Sequence, residues 1–160
     1  MGLDMYLEAR DYVSPSNWIK DSEGHSDLED NPKFTSLVNV LDAHQFITKD
    51  SFNGITCMIP VGYWRKANAI HRWFVYNCGG GERDSGLYVD ISELHDLKKI
   101  CLEVLADHSK AMELLPPMEG FFFGTTEVGD WYFRDLEHTV KMIEKIEQSK
   151  YDTFEYTSSW

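Results

Sequence analysis

Basic side chains are scarce in this chain. Its 160 residues hold 15 lysines and arginines against 27 aspartates and glutamates, which gives a formal net charge of −12. A surface of that charge repels the phosphates of DNA and RNA, so binding to a long nucleic acid is not expected. Two interpretations of the acidic surface stay open: it keeps the protein in solution, or it engages a basic target.

Cysteine is also rare, and the histidines are dispersed. Cys57, Cys78 and Cys101 include no Cys-x-x-Cys pair, which argues against the usual zinc and thiol-redox motifs and favours a reducing compartment. The histidines form neither His-x-x-x-His nor His-Glu-x-x-His, so we expect no metal site and no cofactor. The chain lacks a phosphate-binding P-loop and a nucleophilic serine elbow. No catalytic residue is predicted, and a binding protein is expected before an enzyme.

Long apolar runs are missing as well. Nothing approaches the roughly 20 apolar residues that span a bilayer, and the first residues do not resemble a secretory leader. We therefore expect a cytoplasmic protein without a membrane partner. Hydrophobic residues make up 42% and aromatic residues 14% of the chain, which is enough for one globular domain over residues 1–160.

The first 60 residues predict two strands and an acidic loop. Apolar and polar residues alternate from residue 3 to residue 10, as is typical of a half-buried antiparallel strand. Residues 14–33 are rich in Ser, Asp, Glu, Gly, Asn and Pro and predict a loop-rich acidic insertion. Residues 35–46 fit a helix or a strand equally well, and residues 55–60 predict a strand that Pro60 ends.

The remaining residues predict helices and strands without regular alternation. In chain order these are a helix at 63–77 broken by glycines at 79–81, a strand at 87–89, a helix that begins with an Asp90–Glu93 capping box, an apolar strand between Gly120 and Gly124, a helix from Trp131 and an edge strand at 154–156. Such an order argues against a parallel doubly wound sheet. We expect an α+β fold in which an antiparallel sheet of four to five strands packs against two to three helices.

One segment stands out from the acidic background, because residues 61–81 contain three basic side chains and no acidic one. On a helix, Tyr63, Ala67, Ile70 and Phe74 share a stripe that faces the core. The neighbouring stripe carries Trp64, Asn68, His71 and Val75. An indole, an amide and an imidazole together could stack on a planar ring and hydrogen-bond to its edge, while Arg65, Lys66 and Arg72 could bind a phosphate.

The same residues also fit an ordinary amphipathic helix, with interfacial tryptophans and a satisfied buried histidine. A second short stretch could complete a ligand site, since glycines around an aromatic strand allow a ligand to approach the backbone. The predicted ligand-binding residues are Trp64, Arg65, Lys66, Asn68, His71, Arg72, Phe122, Thr125, Thr126, Asp4 and Tyr6.

Three segments together resemble a family of small uncharacterised proteins of bacteriophages and prophages. They are the sequences GLDMYL from Gly2, YWRKANAIHRWF from Tyr63 and GFFFG from Gly120. The resemblance implies an accessory protein made in the host cell cytoplasm during infection. Proteins of this kind often neutralise host defence, and the family supplies no catalytic residue.

Three functions follow as hypotheses. The first is sequestration, without turnover, of a small anionic ligand derived from a nucleotide. The second is inhibition of a host defence protein through an acidic surface that includes residues 21–30, and the third is an enzyme that uses His71 as acid or base on a nucleotide or sugar phosphate. A homo-oligomer is compatible with all three.

Overall fold

A computed structural model describes residues 2–47 and 54–160 of the protein. The elements in chain order are β1 (Asp4–Val13), β2 (Ser16–Lys20), β3 (Ser26–Asp30), α1 (Pro32–Val40), β4 (Ile55–Arg65), α2 (Asn68–Asn77), β5 (Leu87–Asp90), α3 (Ile91–Ala106), a 3-10 turn (His108–Lys110), α4 (Ala111–Leu114), α5 (Asp130–Ile146) and β6 (Thr153–Ser159). The fold is α+β, as predicted. Contacts divide the chain into two compact units, Met1–Arg10 with Ile59–Trp160 and Asp11–Met58.

The larger unit is built on an antiparallel sheet with the strand order β4-β1-β6-β5. The alternation seen at the start of the chain sets its two faces, which confirms the first predicted strand. Leu3, Met5, Leu7 and Ala9 have no exposed surface. The intervening side chains from Asp4 to Arg10 lie on the opposite face, because successive residues of a strand point to opposite sides.

Helices α2, α3 and α5 supply much of the rest of this core. The predicted capping box is present at the start of α3, where the Glu93 carboxylate accepts from the Asp90 backbone N–H at 2.8 Å. Helix α5 buries Leu136, Val140 and Ile143 at helical spacing. The Phe74 ring of α2 stacks on Tyr156 of β6, with ring centroids 4.1 Å apart. The helices therefore cover the apolar face of the sheet.

The smaller unit contains the hairpin β2–β3 and helix α1. Residues 14–33, predicted as a loop, instead form this antiparallel hairpin and the start of α1. Its turn is closed by the Asp21 carboxylate, which accepts from the backbone N–H groups of Glu23 and His25, and by Gly24 at φ +85°. The ambiguous stretch at residues 35–46 begins in α1, which starts after the N-cap Asn31.

Two predicted boundaries are wrong. Strand β4 continues through Pro60 to Arg65, and helix α2 begins only at Asn68. Proline is tolerated because β4 is at the edge of the sheet. Lys66 adopts a left-handed backbone at φ +59°, which separates the strand from the helix.

The other two corrections concern short aromatic segments. The predicted strand between Gly120 and Gly124 is a turn, in which the Phe123 N–H donates to the Gly120 carbonyl at 3.1 Å. The predicted edge strand at 154–156 is β6, which lies between β1 and β5. Residues 154–156 alternate between apolar and polar side chains, and this alternation matches the inward and outward positions of β6.

One backbone carbonyl at the outer edge of β4 is already hydrogen-bonded to a side chain. His138 of α5 donates through Nε2 to the Tyr63 backbone carbonyl at 3.0 Å. Within the described ranges 2–47 and 54–160, no helix is long and apolar enough to cross a bilayer.

Candidate functional site

The structure separates the predicted ligand-binding residues into different places. Trp64 and His71 lie in the core. Asp4, Tyr6 and Arg65 share the uncovered face of the sheet, whereas Lys66, Asn68 and Thr125 line a small cavity beside α2. The remaining residues belong to none of these groups and are Arg72, Phe122 and Thr126.

Trp64 is part of the core and has only 2% of its surface exposed. Its indole Nε1 donates to Thr139 Oγ1 at 2.9 Å, and its ring meets the Phe74 ring edge-on at 5.7 Å. The helical stripe that would have presented Trp64 beside Asn68 does not exist, because residue 64 is in a strand. The indole is therefore unavailable to stack on a ligand in this structure.

His71 is fully buried in an aromatic cluster. Its Nδ1 lies 2.7 Å from the Tyr156 hydroxyl, and its ring packs against Phe123 and Trp160 at centroid distances of 4.9 and 5.9 Å. Nε2 has no hydrogen-bond partner among the described residues. Burial lowers the pKa of His71, with an opposing effect from the Asp84 carboxylate. A substrate would have to open the core to exchange a proton with this ring.

The uncovered sheet face brings Asp4, Tyr6 and Arg65 together with Tyr63. The Tyr63 hydroxyl donates to the Asp4 carboxylate, which raises the pKa of Tyr63. Arg65 Nε is 4.0 Å from the same carboxylate, and the Tyr6 and Tyr63 rings are 5.4 Å apart. The arginine is thus already partly compensated by a carboxylate on the neighbouring strand.

The cavity beside α2 is too small for a nucleotide. Its volume is about 40 Å³, room for one or two water molecules, whereas ligand pockets usually span roughly 300–1,000 Å³. Asn68 holds one wall in place, because its Nδ2 donates to the carbonyls of Thr125 at 2.8 Å and Phe123 at 3.3 Å. The Asn68 side chain therefore holds the turn that follows Gly120 in place.

The other predicted residues have different neighbours. The Arg72 guanidinium lies over the Tyr76 ring at 4.5 Å. The Phe122 carbonyl accepts from the Leu3 N–H at 3.1 Å, and its side chain is half-buried. Thr126 is exposed. The sequestration hypothesis is not tested by these placements and stays a prediction that would depend on Arg65, Lys66 and Arg72.

Asp135 is a chemically unusual residue that sequence reasoning missed. It lines the same cavity from α5, and no hydrogen bond or ion pair holds its carboxylate within the described part of the chain. Burial raises the pKa of Asp135 to about 6, although the nearby His138 acts in the opposite direction. At neutral pH the folded protein must therefore keep an unfavourable charge in a half-buried position.

We expect Asp135→Asn to stabilise the protein at neutral pH. The folded-state pKa lies above the unfolded value of 3.8, so the charged carboxylate destabilises the fold above pH 6. After allowance for partial solvent exposure, the gain is about 1 kcal/mol at pH 7.5. It should fade as the pH falls from about 6 to the unfolded value of 3.8, below which aspartate is protonated in both states. Urea unfolding at several pH values measures it, and the exposed Glu137→Gln on the same helix is the control. A loss of stability at pH 7.5 would contradict the assignment.

The hairpin β2–β3 carries a second feature that the sequence analysis did not predict. Trp18 and Leu28 are directly opposite each other, and 74% and 52% of their surfaces are exposed. Residues 16–30 also contain five carboxylates and one lysine. We call the side of the hairpin that bears Ser16, Trp18, Lys20, Ser26, Leu28 and Asp30 the hairpin face. A signal for it existed in the sequence, since two five-residue segments flank an Asp-Ser-Glu-Gly turn.

No group of three or more His, Cys, Asp or Glu side chains that could hold a metal ion occurs in residues 2–47 or 54–160. Comparisons with protein-family models, curated proteins and solved structures found no match. The interpretation of function therefore depends on the geometry of the chain itself.

Proposed function

We propose that the protein acts by binding another protein through the hairpin face, and that its target has a basic surface. The observation that carries this proposal is the exposed Trp18–Leu28 pair on a hairpin that holds five carboxylates. The phage resemblance of the sequence suggests that the target is a host defence protein in the host cytoplasm. No turnover is required for this role.

Trp18 is notable because its exposed ring adjoins a second exposed apolar side chain, whereas singly exposed aromatic residues are common. A solvent-exposed indole on a short two-stranded hairpin contributes little to folding, whereas tryptophan is among the residues that dominate binding energy in protein interfaces. Leu28 extends the apolar surface directly across the strand pair. An apolar centre with a charged rim is the usual anatomy of a protein-binding surface.

The charge of the hairpin indicates the sign of the partner. Its five carboxylates all lie in exposed positions. Asp30 is on the hairpin face together with Lys20, whereas Asp21 and Glu23 are in the adjoining turn, and Asp27 and Glu29 are on the opposite side. Carboxylates within a Debye length of an interface accelerate encounter with a basic surface and disfavour acidic competitors. The same charge would oppose capture of a nucleotide on this surface.

Trp18→Ala tests the proposal. Affinity capture from host cells, followed by titration of the purified complex, should recover a basic partner with the native protein and show binding at least tenfold weaker with the variant. Trp131→Ala is the matched control, because Trp131 is 72% exposed in the larger unit, close to the value for Trp18.

Salt provides a second readout for the same complex. Raising the salt concentration from 50 to 500 mM should weaken it strongly, since the Debye length shortens and rim charges are screened. A partner retained equally by Trp18→Ala and lost in Trp131→Ala would contradict the hairpin face as the binding surface. A phosphorylated small molecule that co-purifies and is lost in Arg65→Ala would favour sequestration instead.

A further inference from the structure

A cleft lies in the smaller unit beside the hairpin face. Its volume is about 460 Å³, enough for a large side chain together with part of its backbone. The lining residues are Pro15, Ser16, Asp30, Phe34, Thr35, Val38, His44 and Ile47. Phe34 and Val38 are buried and form an apolar floor from α1.

The cleft and the exposed Trp18–Leu28 pair are continuous. Ser16 is opposite Asp30, and Trp18 is opposite Leu28, two residues farther along each strand. Both pairs are therefore on the hairpin face, separated along the strand by roughly 7 Å. An extended segment that covers Leu28 would bring its residue two positions away over the cleft.

Asp30 gives the cleft its charge. Its side chain is exposed, and within residues 2–47 and 54–160 its carboxylate makes no hydrogen bond or ion pair. Ser16 and Thr35 add hydroxyl groups and His44 adds an imidazole, whereas the floor offers apolar surface. An occupant that matches this lining combines a long apolar stem with a cationic head.

We infer that this cleft receives an arginine side chain of the partner protein, an inference that rests on the proposed function. The methylene stem of arginine packs on apolar surface while its head stays at the rim. The planar guanidinium can donate two parallel hydrogen bonds to the Asp30 carboxylate and still has donors for the hydroxyl groups. A lysine ammonium group would supply the same charge, but it lacks the planar arrangement of donors that pairs with both carboxylate oxygens.

The probe is the peptide acetyl-Leu-Ala-Arg-Ala-amide, titrated into the ¹⁵N-labelled full chain and followed by NMR. Saturable shifts are expected at the amides of Asp30, Phe34 and Val38. A peptide with citrulline, the uncharged isostere of arginine, should bind at least tenfold more weakly, and the lysine peptide several-fold more weakly.

Asp30→Asn should raise the Kd for the arginine peptide about tenfold or more. Asp27→Asn is the matched control, because it removes the same charge from the opposite side of the hairpin, where Asp27 is paired with Ile19. The control should change the Kd by less than twofold. If Asp30→Asn perturbs folding, Thr35→Phe provides a second variant that fills the cleft and should abolish the shifts.

Equal effects of Asp27→Asn and Asp30→Asn would overturn the inference, because binding would then be general charge attraction. Equal affinity for the citrulline or lysine peptide would overturn it as well. These failures leave Trp18-dependent capture of a partner unaffected, so they are distinguishable from failure of the proposed function.

Discussion

Trp64→Ala is expected to lower the free energy of unfolding by about 3–5 kcal/mol, a large part of the stability of an ordinary domain. The substitution removes an indole that is 98% buried, since only 2% of Trp64 is exposed. It leaves a cavity against Phe74 and deletes the hydrogen bond to Thr139. Chemical denaturation followed by circular dichroism measures the loss.

The control is Trp131→Ala, which should cost less than about 1 kcal/mol because the Trp131 ring is exposed and its cation–π contact with the Arg134 guanidinium, at 5.1 Å, lies at the surface. If Trp64→Ala were as stable as the native protein, the indole would not be a core residue. The result thus separates a role in folding from the ligand-stacking role predicted from sequence.

The native protein is expected to lose stability through His71 as the pH falls below about 6.5, its ordinary pKa. Burial lowers the pKa of His71 in the folded state, so the unfolded chain binds the proton more readily. Above pH 6.5 the imidazole is neutral in both states and His71 does not lower the free energy of unfolding. Below pH 6.5 the unfolded chain is protonated first, so the free energy of unfolding decreases as the pH falls toward the folded-state pKa. The slope is at most about 1.4 kcal/mol per pH unit for one proton.

His71→Gln isolates this effect, because glutamine is polar and does not titrate. The difference in unfolding free energy between the two proteins should be constant above pH 7 and shrink toward pH 5, where only the native protein is penalised. Asp135 titrates in the opposite sense, but it is present in both proteins and cancels in the difference.

Val140→Ala serves as the comparison, since it removes core volume without a titratable group and should lower stability equally at each pH. Urea unfolding between pH 5 and 7.5 provides the data. A native-to-His71→Gln difference that does not vary with pH would show that the imidazole is protonated alike in the folded and unfolded chains.

Helices and strands that are marked by one clear sequence pattern were predictable from the sequence. Strict alternation identified β1, and the Asp90–Glu93 capping box identified the start of α3. Helix α5 has apolar residues at helical spacing over four turns, and its prediction was correct. In each case local propensity and tertiary burial favour the same structure, which is why the pattern suffices.

The boundary near Lys66 was not predictable in the same way. Residues 63–65 have good helical spacing with the residues of α2, yet backbone pairing with the first strand holds them in β4. The change of direction depends on a non-glycine residue at positive φ, for which sequence gives no reliable sign. This single boundary moved Trp64 from a predicted ligand surface into the core.

The hairpin was missed for a different reason. Its strands are exposed on both sides, so residues 16–30 lack the apolar alternation that identifies a half-buried strand. Asp135 was missed because a single acidic residue on an amphipathic helix gives no sign of its burial. The exposure of Trp18 and the burial of Asp135 both depend on tertiary structure, which local sequence patterns do not specify.

The contact between His138 and the Tyr63 carbonyl determines how far the sheet can grow. Strand β4 is eleven residues long and lies at an edge, a position at which unpaired backbone groups invite another chain to add a strand. His138 already occupies one acceptor, and Pro60 supplies no N–H donor. A strand that pairs with β4 at Tyr63 would have to displace the imidazole. This part of the edge is therefore less open to pairing with another chain than the length of β4 alone would suggest.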